Sequence, residues 1–161
     1  MALTKINNNT LSAITGLPAG VGGKVLQVVT ATNSTQIFTT STSFSDTGLT
    51  ASITPSATSS KILIIVNHNG VRKENDNSNN AINMKLFRGA SEELYFVKFS
   101  LYTGTSLGLF GSTLSTNYLD SPTTTSSTTY KTQFANFASG GSVGLQDSSA
   151  VSTITLMEVA G

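Results

Sequence analysis

From residue 24 onward the chain is written in short runs of apolar–polar alternation, separated by turns rich in Ser, Thr and Gly. A strand sends successive side chains to opposite faces, so a two-residue period with one apolar face reads as a half-buried β-strand. Residues 49–54 are the clearest case: Leu49, Ala51 and Ile53 share one face, and Thr50, Ser52 and Thr54 the other. Pro55 then ends the run, because proline has no N–H to give to a ladder. The run from Ser152 through Ile154, Leu156 and Glu158 to Val159 repeats the pattern at the end of the chain. Almost nothing is spaced for a helix.

Similar runs occupy residues 24–30, 36–40 with 43–44, 61–68, 81–88, 93–99, 107–110 and 130–135, giving nine or ten strands in all. Turn signals at such short intervals predict an all-β, antiparallel sandwich or barrel, not a parallel α/β sheet. No repeat of solenoid length is visible. The most apolar run, 61–68, is expected to be a central strand covered on both faces. It and 93–99 are apolar on both sides, while one sandwich core can hide only one side of each. A neighbouring subunit is the natural second cover, which predicts a homo-oligomer.

Two segments stand apart. In residues 1–22, Leu11, Ile14 and Leu17 recur at helical spacing, but Gly16, Pro18, Gly20 and Gly22 cut the pattern off within two turns. So short a helix is marginal in water, which predicts an arm that orders against a partner. Residues 23–161 are then the folded domain. Within it, Gly70 to Asn80 reads as a polar loop carrying Arg72, Lys73, Glu74, Asn75, Asp76 and Asn77.

A length of 161 residues fits one domain. Charged residues are 11% of the chain, against about 25% in an average soluble protein. Ser and Thr together make up roughly 30%, well above ordinary usage. Net charge is +1 and the basic residues form no stripe, which argues against a nucleic-acid partner. There is no cysteine, hence no disulfide and no thiolate metal site. No apolar run has the length of a membrane span, and residues 1–5 lack the features of a signal peptide. The expectation is synthesis in a cytosol, without membrane insertion.

Chemistry-bearing residues are few. His68 is the one histidine and lies at the end of an apolar strand, where a packed, hydrogen-bonded role is favoured over a general base. No G-x-S-x-G elbow accompanies the many serines. Glu92 and Glu93 are adjacent, so a strand points them apart and they cannot flank one glycosidic bond. Glu74 and Asp76 share a loop with Arg72 and Lys73 and read as self-neutralising. Glu74, Asn75, Asp76, Asn77 and Asn79 offer oxygens to a cation but lack the order of an EF-hand loop. Tyr95, Phe96 and Phe99 follow strand alternation and read as core or interface. Tyr102, Tyr118 and Tyr130 flank loops, where rings can stack on sugars, but with no Trp in the chain a core or rim role is favoured. Neither catalytic residues, nor a metal, nor a cofactor is expected.

Several segments, taken in order, resemble a domain of tailed-phage virion proteins, particularly those of marine bacteria. They are Gly23-Lys24-Val25-Leu26-Gln27-Val28-Val29, Ser43-Phe44 with the stretch from Thr47 to Pro55, and Ser59-Ser60-Lys61-Ile62-Leu63-Ile64. Tyr118-Leu119-Asp120-Ser121-Pro122 with Thr129-Tyr130, and Ser152-Thr153-Ile154-Thr155-Leu156-Met157-Glu158, complete the set. The resemblance covers about Gly23 to Gly161 and is weakest from Gly70 to Ser115. It implies a jelly-roll sandwich, assembled as a trimer and carried on the virion after synthesis in the host bacterium. The implied role is a small tail fibre or host-recognition protein, with a capsid decoration protein as the alternative and a polysaccharide depolymerase as a third reading. The arm, through Leu11, Ile14 and Leu17, would dock on other phage proteins. The loop residues Arg72, Lys73, Glu74, Asn75, Asp76 and Asn77, with Tyr102 and Tyr118, are the candidates for contact with a host surface glycan or protein.

Overall fold

The computed structural model describes residues 24–74, 79–104 and 110–161. These residues form ten strands: β1 (Val25–Asn33), β2 (Ile37–Thr39), β3 (Ser45–Ile53), β4 (Lys61–Glu74), β5 (Ile82–Arg88), β6 (Ser91–Ser100), β7 (Phe110–Asp120), β8 (Thr128–Asn136), β9 (Ser142–Leu145) and β10 (Ser152–Val159). One sheet runs β1-β10-β4-β9-β2, with β7 along the other side of β4; the second runs β3-β8-β5-β6. Neighbours are antiparallel throughout, and the expected β-sandwich is what forms.

The chain changes sheet at most connections: β1 lies in the first layer, β3 in the second, β4 in the first, β5 and β6 in the second, β7 in the first, β8 in the second and β10 in the first. This wiring sorts the strand ends. At one end Val25 pairs with Val159, Lys61 also meets Val159, and Ile62 meets Asp120. At the other, Ile82 pairs with both Ser100 and Asn136, and Glu74 with Ser142. Residues 1–23 therefore join the domain at the first end, called here the arm end. The second is the loop end, which takes the joins from β4 to β5, β6 to β7 and β8 to β9.

Strand β4 is the spine. Its 14 residues exceed the expected run because the alternation continues through Val71 and Lys73, both of which face the core. Its first half pairs with β10 and its last three residues with β9. The break between them is a bulge at Gly70, with φ of +58° and so little room that a Cβ would stand 2.5 Å from the Asp147 amide nitrogen. Only glycine meets both conditions. Cover on both faces was expected for 61–68. Ile62, Ile64 and Val66 are indeed fully buried, but Leu63 is only half-buried and Ile65 is 42% exposed, because no second layer lies over that side.

Two elements depart from the sequence reading. Strand β7 extends to Asp120, through a Ser/Thr-rich stretch with weak apolar signal, because it gains a full ladder along β4. The short β9 pairs antiparallel with β2 and with the end of β4 and fills all four of its positions with buried residues, too brief a run for periodicity to reveal.

The interior has three levels. Nearer the arm end, Leu49, Ala51, Ile53, Ile62, Ile64, Val66, Leu86, Tyr130, Ile154 and Leu156 pack together. Nearer the loop end, Val71, Ile82, Met84, Val97, Leu101, Phe134, Val143 and Leu145 form a second cluster. Between them lies a buried polar layer of Thr47, His68, Thr132, Gln146 and Ser152. Truncating a core residue such as Leu156 to Ala would cost about 2–5 kcal/mol.

Candidate functional site

The loop end presents an aromatic cluster. Phe99 and Phe137 meet edge to face at 4.5 Å between centroids, and Tyr102 joins Phe137 at 6.5 Å. All three remain exposed, at 52%, 41% and 49% respectively. The backbone that holds them is in an uncommon conformation: Phe99 has φ of +56° and Leu101 +66°. For non-glycine residues this is left-handed backbone that persists only when its surroundings fix it. The Phe99 N–H donates to Asn83 Oδ1 at 3.0 Å, and the Tyr102 N–H donates back to the Phe99 carbonyl. Leu101 turns inward as the anchor of the second core cluster. The Phe137 N–H donates to the Ala81 carbonyl, which holds the third ring in place. An anchored turn thus holds three rings at the surface, an arrangement suited to dispersion contact with an apolar or sugar-like face.

Beside it, the residues expected in a polar loop prove to be strand. Arg72, Lys73 and Glu74 complete β4, so the loop reading is corrected for them: pairing with β9 and β7 extends the ladder past Gly70. Lys73 is fully buried and donates from Nζ to Thr103 Oγ1 at 2.6 Å, which removes it as a surface contact. Arg72 bonds the Glu74 carboxylate, pairs with Asp147 Oδ2 at 2.7 Å and lies over the Phe38 ring at 5.1 Å. Asn75, Asp76 and Asn77 lie outside the described residues, as do Leu11, Ile14 and Leu17 of the arm. Of the two tyrosine candidates, Tyr102 is at the aromatic cluster. Tyr118 is half-buried against the main core, far down β7, because the strand runs past it. Tyr130 is fully buried and bonds Asp120.

The remaining ionisable groups are structural in geometry. Glu92 pairs with Lys85 at 2.6 Å and Glu93 with Arg88 at 3.0 Å, on opposite sides of β6 as strand geometry requires. Burial lowers the His68 imidazole to about 4. Its Nε2 lies 3.0 Å from Thr132 Oγ1, whose other neighbour is Thr47 Oγ1 at 2.6 Å. No acid stands in this chain of hydroxyls, so His68 has no partner to raise its basicity. Burial alone would raise the Glu158 carboxyl, but hydrogen bonds from Ser56 and Gln27 outweigh it and hold the group down at about 2. Among the described residues, no three His, Asp or Glu side chains converge as metal ligands. None of the described helices is long and apolar enough to cross a membrane.

Phe99 and Phe137 were not singled out as contact residues from the sequence. Phe99 reads from the sequence as core or interface; a bulge in the β5–β6 register turns it out of the core. Phe137 follows Phe134, Ala135 and Asn136, all buried, and that loss of alternation was the available signal.

No family model matches the sequence, and neither does any curated protein. The fold is similar in part to the VP2 subviral particle of infectious bursal disease virus, at 12% identity and a TM-score of 0.42, over 83% of this chain and 38% of that one. Structures of the Gx and Gt strains of the same virus are similar at 13% identity with TM-scores of 0.34 and 0.36. They cover 84% and 83% of this chain, and 37% and 40% of theirs. The chain spans less than half the length of each viral chain it matches.

Proposed function

We propose that this chain is a structural protein of a phage virion: a small trimeric tail fibre or host-recognition protein, attached through residues 1–22 and presenting its loop end to the host. One observation carries the reading. The arm joins at Lys24, beside the Val25–Val159 pair, while the exposed rings of Phe99, Tyr102 and Phe137 are grouped at the opposite end. A protein that hangs by one end and touches with the other needs that separation. The sheet wiring also supports the reading. Set β2 and β9 aside, and the layers β1-β10-β4-β7 and β3-β8-β5-β6 have the two-sheet, double Greek-key order of a jelly roll. In this reading the chain is no enzyme: the carboxylates among the described residues are engaged by cations and hydroxyls, and its histidine is buried in the core.

A map of the intact particle tests this. The expected result is a trimer at the tail, with residues 1–22 against other virion proteins and Phe99 and Tyr102 pointing outward. Hundreds of copies seated at capsid symmetry axes would instead make it a decoration protein, and absence from the particle would end the proposal.

A further inference from the structure

We propose that the outer face of the β1-β10-β4-β7 layer is where a second copy of this chain docks; the inference rests on the homo-oligomer in the reading above. The ladder register lines up Val28, Met157, Leu63 and Leu119 in one row across all four strands. The next row is Thr30, Thr155, Ile65 and Asn117, and the one after it Thr32, Thr153, Asn67 and Ser115. Val28 is 54% and Leu119 50% exposed at the two edges of the apolar row, with Met157 and Leu63 half-buried between them, and Ile65 in the next row is 42% exposed. Val25 and Leu26 extend it on β1. Between Lys61 at the arm end and the Arg72–Glu74–Asp147 network at the loop end, these rows hold no charged residue.

The second sheet shows what a solvated outer face looks like in this protein. Lys131 and Gln133 both bond Asp46, Lys85 bonds Glu92, and Lys98 lies over the Tyr95 ring. Only the first layer offers a dry, uncharged surface.

Size points to a copy of the chain as the occupant. Four strands at about 4.8 Å and four outward rows at about 6.8 Å, the three above and a marginal one of Val25, Val159 and Lys61, give a patch of roughly 500 Å². Set against an equal area of a neighbouring copy, such a patch buries about 1,000 Å² in all, the lower bound for a specific protein–protein interface. A face whose one charge, Lys61, lies at its margin has little to select a partner of opposite charge, while a net charge of +1 per chain gives copies little mutual repulsion.

Light scattering on the full chain across a dilution series tests this, with Ile65→Asp and, independently, Leu119→Lys. Both positions are exposed in the single chain, so each variant should keep the far-ultraviolet circular dichroism of the parent. Each should raise the dissociation constant of self-association by at least about 100-fold, because it leaves a charge unpaired in the contact. Gln133→Lys on the other sheet should leave the constant unchanged. An oligomer indifferent to both variants would overturn the assignment of this face while leaving the oligomer standing. So would loss of the oligomer on deleting residues 1–22 while both variants remain assembled, since the arm would then make the contact. A parent chain that stays monomeric throughout would overturn the proposal outright. The position of the chain on the particle is read separately from the particle map.

Discussion

The two ends of the sandwich solve opposite problems. At the arm end, buried charge is locked by short bonds between elements distant in sequence. Asp120 accepts from both Arg88 Nη1 and the Tyr130 hydroxyl, the latter at 2.6 Å, so one carboxylate on β7 ties β5 and β8 across the two layers. Glu158 does the same for the connection after β3, taking the Ser56 N–H at 2.7 Å and its hydroxyl at 2.6 Å. At the loop end Lys73 is buried too, but the turn at residues 99–102 is anchored by Leu101, its backbone is left-handed at Phe99 and Leu101, and its rings stay exposed. The difference shows where this fold places its buried charge: the end next to Lys24 is fastened by it, and under the proposed function the end facing away is the one that makes contact.

Breaking the fastening should give the largest effect. Asp120→Ala leaves the buried Tyr130 hydroxyl without its acceptor and the Arg88 guanidinium with Glu93 alone, and losing one partner of such a buried network costs about 3–5 kcal/mol. For a chain of this size that lowers the melting temperature by roughly 10 °C. Urea melts of the parent and the variant measure it. A loss under 1 kcal/mol would mean that water replaces the carboxylate easily and that the arm end is no more fastened than the other.

Acid should separate the levels of the sandwich. His68 is pushed from an ordinary value of 6.5 down to about 4 by burial, so the unfolded chain takes up its proton first. Its contribution is intact above pH 6.5 and is lost as pH falls from 6.5 towards 4, a loss of about 3 kcal/mol by pH 4. Glu158 is pushed from 4.5 down to about 2, so its contribution is intact above pH 4.5 and is lost only as pH falls from there towards 2. Mild acid therefore loosens the polar layer beneath the loop end while the arm-end carboxylate still holds. Stability measured against pH should fall in the first window for the parent and stay flat there for His68→Gln. An unchanged slope in that variant would assign the transition to another group.

Glu158→Gln comes next in size. It keeps the shape but exchanges charge-assisted bonds for neutral ones, at a cost of about 1–2 kcal/mol at pH 7 that shrinks in strong acid. A cost that stays constant between pH 7 and pH 2 would show that the bonds do not depend on the charge.

These residues also mark how far the sequence could be read. Leu49, Ala51 and Ile53 face the core as their alternation says, and so do Ile154 and Leu156. Hydrophobic burial acts locally along a strand, so the period is written in the order of residues. The arm-end lock is different. Asp120 and Arg88, like Glu158 and Ser56, are joined by wiring between the sheets, and nothing in their own neighbourhoods announces the pairing. Lys73 shows the reverse failure. Its flanking Arg72 and Glu74 gave the segment the look of a loop, but pairing with β9 made it strand and turned the lysine inward. Tyr102 follows β6, beside a loop as its surroundings in the sequence suggest. The direction of Phe99 was not legible, because it depends on a bulge against β5.

The smallest effect on stability should come from the loop end itself, where the comparison can be tested most cleanly. Phe99 occupies left-handed backbone that glycine adopts without strain, so Phe99→Gly trades a lost ring contact for relief of the φ of +56°. Tyr102→Ala removes a ring that is half in solvent. Each should change stability by no more than about 0.5–1 kcal/mol. If the end is shaped for contact, particles carrying either variant should assemble normally but adsorb to host cells more slowly, and the double variant more slowly still. Equal adsorption by parent and double variant would show that the rings serve packing between subunits or nothing at all. A large loss of stability would show that the rings hold the fold, which would erase the contrast between the two ends.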